Sequence, residues 1–598
     1  MGRAAPSRFR AVAAEHNPER KTNTMPMRQV GRLLAAMAAC APFISTPAQA
    51  VSCRAATPAE ALVYTTPLLW PGVASPKDGT CFVNNFSVTA SDGVQLTANV
   101  FLPAGAGNGA SFPAVVYPSS WAAADFFEYL GEQQHMAQQG YVALAYTARG
   151  FYNSGGTVSV ASAQDVADVS SALDWLVANT PADAARIGAA GISYGAGLSM
   201  LGAAADPRIK AVASMSGWAN LVDQMYGNAV PNPTWLSVLF LSGEFTGRLD
   251  PIVGQYVAAV DNPDTSAAMI ATITAWAAPR SPSGAVAALN ARRVPVLVSK
   301  NWQDDMFSPN SSLAMFSQLA GPKKLLLQPG IHASAELPGA TLGAANPVFD
   351  QVHRWMDRWL KGVRNGIDTE PQVNLQLAFG GATETLSTWP APELRSTTLT
   401  LGPRGALRWD FGCFCWKGIT GTLGASTGGA ATDSINSLLD TTASSGPIPI
   451  LSPLMESIGL PVIDQLVTVL PANGVRYEGA MLSAPLRLRG APSLKLRATP
   501  AQARGMLVAY LYDTDLIGFG TLITHGARAV HWASPGATTD FSFDLNAIAY
   551  DVPAGHHLAL VFDTADSLYG SPVDWGQVFS MALPLSGSSP MTMTLPVR

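Results

Sequence analysis

The sequence predicts an α/β protein in which helices cover both faces of a mostly parallel sheet, followed by a β-sandwich. From residue 84 onward, apolar strand-like runs alternate with helix-like segments after an opening hairpin, which is typical of a parallel sheet. After about residue 370 the pattern changes to short alternating strands divided by Gly, Pro, Ser and Asn. A third observation is RIGAAGISYGAGLSM, residues 186–200, where an apolar run passes through a glycine-rich turn into a small-residue helix pattern.

The predicted elements follow a definite order. After the hairpin around residues 91–93 they are the strand PAVVYP, the helix FFEYLGEQQHMAQQ, the strand YVALAY, the helix DVADVSSALDWLVANT, the strand before GISYG, the strand KAVASM, the strand PVLVSK, a helix, the strand KKLLLQ and the helix FDQVHRWMDRWLKG. A long insert, residues 217–292, separates KAVASM from PVLVSK at the side where lids are inserted in this type of sheet. This order predicts an α/β-hydrolase fold with a helical lid insert.

The turn GISYG has the G-x-S-x-G pattern of a nucleophile elbow, in its expected setting of strand, sharp turn and helix. Such a turn is strained, and its flanking glycines let neighbouring backbone approach closely. It exposes the serine hydroxyl above the edge of the sheet. Ser193 is therefore the candidate nucleophile, although a glycine-rich turn can also contain a serine by chance.

In this fold an acid and a histidine follow the serine along the chain, each on a loop just after a strand. The loop after PVLVSK contains two acids, Asp304 and Asp305, and the loop after KKLLLQ contains His332. The other histidines lie in the leader, in predicted helices or in the C-terminal region. His332 is the candidate base for Ser193, and one of the two aspartates would orient its imidazole.

Six segments carry a family resemblance: GYVALAYTARGFYNSGG, GISYG, NWQDDMF, PGIH, and the C-terminal phrases APLRLRGAPSLKL and GTLITHG. Together they resemble the cocaine-esterase and X-prolyl dipeptidyl-peptidase group of serine hydrolases, whose last domain is a jelly-roll β-sandwich. In that group the acid follows a strand in a G-x-x-D pattern with an apolar residue three positions on. The resemblance therefore implies Asp304 rather than Asp305 as the acid, with asparagine replacing the glycine.

The expected oxyanion site departs from that group. Its members often have Pro-Tyr after the strand equivalent to PAVVYP, whereas this chain has PSSW, residues 118–121. An indole N–H donates a hydrogen bond but does not titrate as a phenol does. We expect the backbone amides of Tyr194 and of Ser120 or Trp121 to form the oxyanion hole. Trp121 as a packing residue of the pocket wall is the alternative.

The lid insert is rich in aromatic residues and poor in acids. We expect some of its aromatics to face the substrate, and Tyr226, Trp235 and Phe240 are the candidates. A dipeptidyl-peptidase needs an acid that binds the free amino terminus, and Asp223 and Glu244 are the lid acids available for it. Neither stands out from a solvated acid, so the sequence favours uncharged, apolar or aromatic acyl groups and ester substrates.

The N-terminus indicates export. Arginines precede the apolar run LLAAMAACAPFI, and AQA at residues 48–50 is a small-residue cleavage site, so residues 1–50 are predicted to be a leader and a secretory signal peptide. No later stretch reaches the roughly 18 unbroken apolar residues of a membrane span. Four cysteines remain, as suits an oxidising compartment, and Cys53 and Cys81 are placed to pair. The expected location is secreted or periplasmic.

Composition narrows the possible partners. Charged residues make up 13% and the net charge is −5, so no basic surface for nucleic acid is expected. The C-x-C of Cys413 and Cys415 is too sparse for zinc, and no metal or cofactor is expected. The partner is a small-molecule ester or peptide, and the sequence does not indicate an oligomeric state.

The sequence thus predicts a catalytic domain over residues 51–370 and a jelly-roll domain over residues 371–598. The expected activity is that of an exported serine hydrolase that cleaves an ester or amide through an acyl-enzyme, with an esterase favoured. An X-Pro dipeptidyl-peptidase is the alternative within this class. The alternative from another class is a secreted binding protein with a degenerate hydrolase domain.

Overall fold

A computed structural model describes most of the chain beyond the predicted leader. The described residues are 79–106, 109–404, 408–410, 415–417, 420–424, 432–436, 441–531, 535–570, 580–585 and 590–598. The predicted signal peptide, Cys53 and Cys413 lie outside them.

The first sheet has ten strands. They are β1 Cys81–Thr89, β2 Gln95–Leu102, β3 Phe112–Pro118, β4 Val142–Tyr146, β5 Ala182–Ile192, β6 Ile209–Met215, β7 Val296–Asn301, β8 Lys323–Gln328, β9 Val373–Gln376 and β10 Thr383–Leu386. Their order across the sheet is β1-β2-β4-β3-β5-β6-β7-β8-β9-β10. Neighbours from β4 to β9 pair in parallel, and antiparallel strands join at both ends. The predicted α/β-hydrolase fold is confirmed.

Helices pack on both faces of this sheet, because alternate residues of its buried strands point to opposite sides. Val115 and Tyr117 of β3 belong to one apolar core, and Ala114 and Val116 belong to another. Outside the lid, the helices are α1 Asp125–Glu128, α2 Leu130–Gln138, α3 Ala163–Asn179, α4 Tyr194–Ala205, α10 Pro309–Gln318, α11 Leu337–Leu342 and α12 Pro347–Met356. Because the central strands run parallel, their carboxyl ends meet at one edge of the sheet, and the loops that follow these strands converge there.

The lid lies between β6 and β7, as predicted, and is helical. Its helices are α5 Leu221–Met225, α6 Pro233–Thr246, α7 Pro251–Asp261, α8 Ala267–Ala277 and α9 Pro282–Arg292, with short 3₁₀ turns at Gly227–Ala229 and Ala278–Arg280. The sequence marks where several of them begin. Asn220, Asn232, Asp250 and Ser266 each accept backbone N–H hydrogen bonds as N-caps of α5 to α8. Proline occupies the first turn of α6, α7 and α9, where no intrahelical donor is lost.

The C-terminal region is rich in strands and forms the predicted β-sandwich. Its strands are β11 Arg395–Gly402, β12 Arg408–Asp410, β13 Cys415–Lys417, β14 Thr420–Gly424, β15 Thr432–Asn436, β16 Ile463–Gln465, β17 Val475–Gly479, β18 Leu486–Gly490, β19 Ser493–Pro500, β20 Arg504–Thr514, β21 Phe519–His531, β22 Thr539–Asp544, β23 Ile548–Val552, β24 His557–Asp563, β25 Ser580–Pro584 and β26 Thr592–Val597. One helix, α13 Leu451–Ser457, and a 3₁₀ turn, Leu466–Thr468, lie among them. Most pairs are antiparallel; β14 and β17 run parallel.

One predicted strand belongs elsewhere. The jelly-roll domain was expected to begin at residue 371, with its first strand just after it, but the strand Val373–Gln376 is β9, which pairs in parallel with β8. β10 then adds to β9, so the first sheet extends to Leu386. The alternating pattern of β9 does not distinguish a terminal strand of one sheet from the first strand of the next. Among the described residues, no helix is long and apolar enough to cross a membrane.

Candidate active site

Ser193 lies at a sharp turn between β5 and α4. Its backbone has φ 54° and ψ −116°, a conformation that L residues rarely adopt and that a strained elbow requires. The two glycines of G-x-S-x-G are needed for space. A Cβ on Gly195 would lie 2.1 Å from the carbonyl oxygen of Pro118, and one on Gly191 would lie 2.3 Å from the carbonyl carbon of Gly195. Close packing within the turn, at Gly191, and against β3, at Gly195, thus explains the motif.

The structure brings Ser193, His332 and Asp304 together in one hydrogen-bonded chain. Nε2 of His332 lies 2.8 Å from Oγ of Ser193, although 139 residues separate them in sequence. Nδ1 of His332 lies 3.1 Å from Oδ2 of Asp304. Ser193 is 6% exposed and Asp304 is 1% exposed, so the chain of contacts is largely shielded from water. A carboxylate on the far nitrogen fixes the imidazole tautomer that accepts a proton from the serine.

Contacts between the two loops hold the histidine in place. The N–H of Gln303 donates to the carbonyl of Gly330 at 3.0 Å, and the Gly330 N–H donates to Oε1 of Gln303 at 2.9 Å. Asn301 stands where the resembling family has glycine. Its amide donates to the carbonyl oxygen of Ile331, the residue before His332, at 2.8 Å. The asparagine that replaces the family's glycine therefore adds a hydrogen bond between the loop that carries Asp304 and the loop that carries His332.

Asp305 turns away from His332 and toward the β-sandwich. Its Oδ1 lies 3.6 Å from Nε2 of His525, whose Nδ1 lies 2.7 Å from the hydroxyl of Tyr569. Burial, with carboxylates nearby, raises the pKa of Asp305 well above its ordinary value. Asp304 is accordingly the carboxylate that the geometry pairs with His332.

Two further ionisable groups lie beside this chain, and sequence reasoning missed both. Nζ of Lys300 donates to Oδ2 of Asp304 at 2.7 Å, and both side chains are fully buried. Burial alone would raise the pKa of Asp304, but the charges of Lys300 and His332 lower it to about 2. Glu336 is also fully buried and accepts hydrogen bonds from Ser216, Ser299 and Asn301. A lysine at the end of the apolar strand PVLVSK was the available signal, because a buried ammonium requires a partner.

The candidate oxyanion donors differ in whether their backbone N–H groups already have a hydrogen-bond acceptor. The N–H of Ser120 donates to Oε2 of Glu128 at 2.7 Å, so it is already used. The indole of Trp121 donates to the carbonyl of Leu239 at 2.8 Å, but its backbone N–H has no hydrogen-bond partner among the described residues. Tyr194 is the first residue of α4, where a helix leaves amides without an intrahelical acceptor. The structure therefore removes Ser120 as an amide donor and leaves Trp121 and Tyr194.

The phenol of Tyr194 is structural. Its oxygen accepts the N–H of Ala161 at 2.6 Å and donates to Oδ1 of Asp165 at 3.1 Å. Trp121 is also a packing residue, which was the alternative expected from the sequence. Its ring packs edge-on against that of Tyr194, with the ring centroids 5.6 Å apart. The side chain of Tyr194 is buried and that of Trp121 is half-buried, and the contacts of both hold the backbone next to Ser193.

Ser193 borders an apolar cavity of about 130 Å³ under the lid. Tyr226 and Phe240 line it, together with side chains of α5 to α8. None of the described residues that line the cavity is charged. Trp235 does not line it, which corrects the sequence expectation. Trp235 is 6% exposed and packs instead in the apolar core of the described residues.

The two lid acids also lie away from the cavity. Asp223 borders a separate polar cavity next to Asp305, and Glu244 is exposed on α6. Among the described residues, no group of three or more His, Cys, Asp or Glu side chains is placed to hold a metal ion.

Two family models match the sequence. The X-Pro dipeptidyl-peptidase (S15 family) model matches residues 92–334, which include Ser193, Asp304 and His332. The model of the X-Pro dipeptidyl-peptidase C-terminal non-catalytic domain matches residues 365–591. No curated protein matches the sequence significantly.

Solved structures share the fold over most of the chain. A CocE/NonD family hydrolase from Staphylococcus aureus has a TM-score of 0.65 and 14% identity, covering 87% of this chain and 94% of that one. An alpha-amino acid ester hydrolase has a TM-score of 0.62 and 17% identity, covering 88% and 98%. An aminopeptidase from a marine sediment Thaumarchaeota archaeon has a TM-score of 0.63 and 15% identity, covering 85% and 95%. At these identities the likeness is one of fold.

The two family models follow one another along the chain in the order of its two sheets. Together with the shared fold, they assign both the hydrolase domain and the β-sandwich to one known architecture. The chain is therefore a serine hydrolase whose two matched regions correspond to the catalytic and the C-terminal domains of the X-Pro dipeptidyl-peptidase (S15) family.

Proposed function

We propose that this protein is an esterase that transfers uncharged, apolar or aromatic acyl groups to water through an acyl-enzyme on Ser193. The observation that carries the proposal is the uncharged, apolar cavity that borders Ser193 beneath the lid. Within the family, this cavity favours esters of neutral acids over peptides with a free amino terminus.

The proposed chemistry uses the hydrogen-bonded chain directly. Oγ of Ser193 attacks the ester carbonyl carbon while Nε2 of His332, 2.8 Å away, accepts its proton. The imidazolium then returns that proton to the departing alkoxide, leaving the acyl group on Ser193. Water, activated by His332 in the same way, releases the acid. Asp304 holds the ring and stabilises its charged form in both steps.

The amides of Tyr194 and Trp121 are the proposed donors to the oxyanion of the tetrahedral intermediate. The N-terminus of α4 adds a favourable dipole at the same place. Removal of one such donor costs about 10²–10³ in kcat where it has been measured in other enzymes.

The cavity disfavours a charged acyl group. An ammonium group bound against apolar walls loses its hydration and gains no carboxylate partner in return. In this protein the lid acids Asp223 and Glu244 do not line the cavity. None of the described residues that line the cavity is an acid, so they offer the X-Pro dipeptidyl-peptidase alternative no group to bind a free amino terminus.

Two esters that differ only in one ammonium group test this choice. We expect kcat/KM for the p-nitrophenyl ester of 3-phenylpropanoic acid to exceed that for the phenylalanine ester by on the order of 10²-fold, because only the second carries an unpaired charge. Both values are corrected for spontaneous hydrolysis. A preference for the amino ester that disappears on N-acetylation, or efficient cleavage of a dipeptidyl X-Pro anilide, contradicts the proposal.

Export is part of the proposal. Its support is the signal-peptide pattern of residues 1–50 together with the disulfide bond of Cys81, since disulfides persist mainly in oxidising compartments. The intact mass of the protein recovered from the periplasm or the medium tests it. We expect a chain that begins after Ala50; an unprocessed chain in the cytoplasm contradicts export and leaves the esterase proposal untouched.

A further inference from the structure

Lys300 and His332 contact the same oxygen of Asp304. Nζ of Lys300 lies 2.7 Å from Oδ2, and Nδ1 of His332 lies 3.1 Å from it. The two nitrogens are consequently within about 6 Å of each other. The other oxygen, Oδ1, accepts the backbone N–H of Phe307 at 2.9 Å. The amine of Lys300 thus contacts the same carboxylate oxygen that contacts the histidine.

Lys300 is held in place by the pairing of its strand and by the burial of its side chain. It sits near the end of β7, paired in register with Leu327 of β8, and is 0% exposed. Its second contact is the carbonyl oxygen of Gly217 at 3.4 Å, and its ammonium lies 5.6 Å from the centre of the Phe307 ring. Burial lowers the pKa of Lys300, while Asp304 opposes this effect.

We propose that Lys300 is a positioning residue whose charge sets the pH range in which the Asp304–His332 pair serves as the base for Ser193. The proposal rests on the proposed function, because it concerns the base of that same reaction.

The reason is the net charge of the buried group. With Lys300 present, the ammonium, the carboxylate and the neutral imidazole sum to zero, and uptake of a proton creates a buried positive charge. Without the ammonium the pair carries −1, and the same proton neutralises it. Without the ammonium, the pair therefore takes up the proton at higher pH, whichever of Asp304 and His332 holds it. Lys300 therefore keeps the pair free of the proton, and able to act as a base, down to lower pH.

Two other acids face this group. Glu336, at the N-terminus of α11, lies close enough to both Lys300 and His332 to favour their charged forms. Its own pKa is raised by burial, although the hydrogen bonds from Asn301, Ser299 and Ser216 oppose this. Asp305 interacts with Asp304 but points toward His525. Glu336 and Asp305 are the same in the wild type and in the Lys300 variants. A difference in pH dependence between these proteins therefore reports the loss of the lysine charge.

The pH dependence of kcat/KM for a neutral p-nitrophenyl ester tests the proposal. Lys300→Met removes the charge at similar volume, and Lys300→Gln removes the charge but keeps a hydrogen-bond donor to Asp304. Lys324→Met is the matched control, because Lys324 is also buried, on the adjacent strand β8, but contacts the Pro371 carbonyl and Glu370. Thermal melting shows whether each variant is folded, and Lys300→Gln serves if Lys300→Met is not.

We expect the acidic limb of the profile to move to higher pH by about one to two units in both Lys300 variants, as a unit charge about 6 Å away would produce at an effective dielectric constant near 20. The limb of Lys324→Met should coincide with that of the wild type. An unchanged or lowered limb in the folded Lys300 variants, or an equal shift in Lys324→Met, overturns the proposal.

The rate of labelling by a fluorophosphonate, measured over the same pH range, tests the role of Lys300 separately from the proposed function. It should show the same shift without depending on the acyl group. A wild-type protein that is not labelled at all rejects the proposed function, whereas labelling with an unshifted limb rejects only the role of Lys300.

Discussion

Trp121 donates its indole N–H to the carbonyl oxygen of Leu239 at 2.8 Å, and this bond ties the loop after β3 to lid helix α6. The loop carries a proposed oxyanion donor, and the helix carries part of the acyl cavity. The position of the oxyanion amide is therefore coupled to the position of the lid.

Trp121→Phe removes this bond and keeps the backbone amide. We expect kcat/KM for a neutral ester to fall by less than about 10-fold, because a neutral hydrogen bond contributes about 1 kcal/mol. A loss of 10² or more in kcat, as for a missing oxyanion donor, with an unchanged melting temperature, would mean that the indole itself binds the oxyanion.

Asp304→Asn and Asp305→Asn distinguish the two adjacent acids. Only Asp304 contacts His332, so we expect its replacement to lower kcat by on the order of 10³–10⁴-fold through loss of the correct tautomer. Asp305→Asn should stay within a few-fold of wild type, since Asp305 contacts His525. The reverse ranking, measured on folded protein, shows that the acid has been misassigned.

Phe240 and Trp235 lie on the same lid helix but on different sides of it. Phe240→Ala enlarges the cavity, so we expect a higher KM for aromatic acyl esters and a smaller effect on acetyl esters. Trp235→Phe is the matched variant outside the cavity and should leave this acyl preference unchanged. If Trp235→Phe alters the preference as much as Phe240→Ala, the lid has a different arrangement around the substrate.

Glu456 of α13 provides a test of stability against pH. Burial raises its pKa to about 8, so the folded state holds the proton more tightly than the unfolded state, whose value is near 4.5. The stability contributed by the protonated form is fully present below pH 4.5 and is lost as the pH rises to about 8. Glu456→Gln should therefore melt a few degrees higher than wild type at pH 8, and the two should converge near pH 5. A difference that is independent of pH contradicts the raised pKa.

The fold and the main contacts of the site could be predicted because both follow from local patterns. Buried strands appear as apolar runs, and loops that follow parallel strands meet at one edge of the sheet. Ser193, Asp304 and His332 each occupy such a loop or turn, so their order in the chain sufficed to bring them together. Asp304 and Asp305 were separable only through the family pattern.

The rest depends on side-chain directions that only the folded chain determines. The amide of Ser120 is used by Glu128, a partner from α1, and nothing in PSSW indicates that. Trp235 and Phe240 look alike in an apolar helix with a nearly uniform surface, so sequence does not tell which side faces the cavity. Lys300 ends an apolar strand, and its role is visible only once Asp304 lies beside it.

The hydrogen bond between Ser193 and His332 predicts that Ser193 is a nucleophile activated by His332. Labelling with a fluorophosphonate, followed by mass spectrometry of the modified peptide, tests it most directly. We expect one label per chain on Ser193, no label in Ser193→Ala, and labelling slowed by about 10³-fold or more in folded His332→Ala. Stoichiometric labelling of Ser193→Ala, modification of a different residue in the wild type, or an undiminished rate in His332→Ala would contradict the claim.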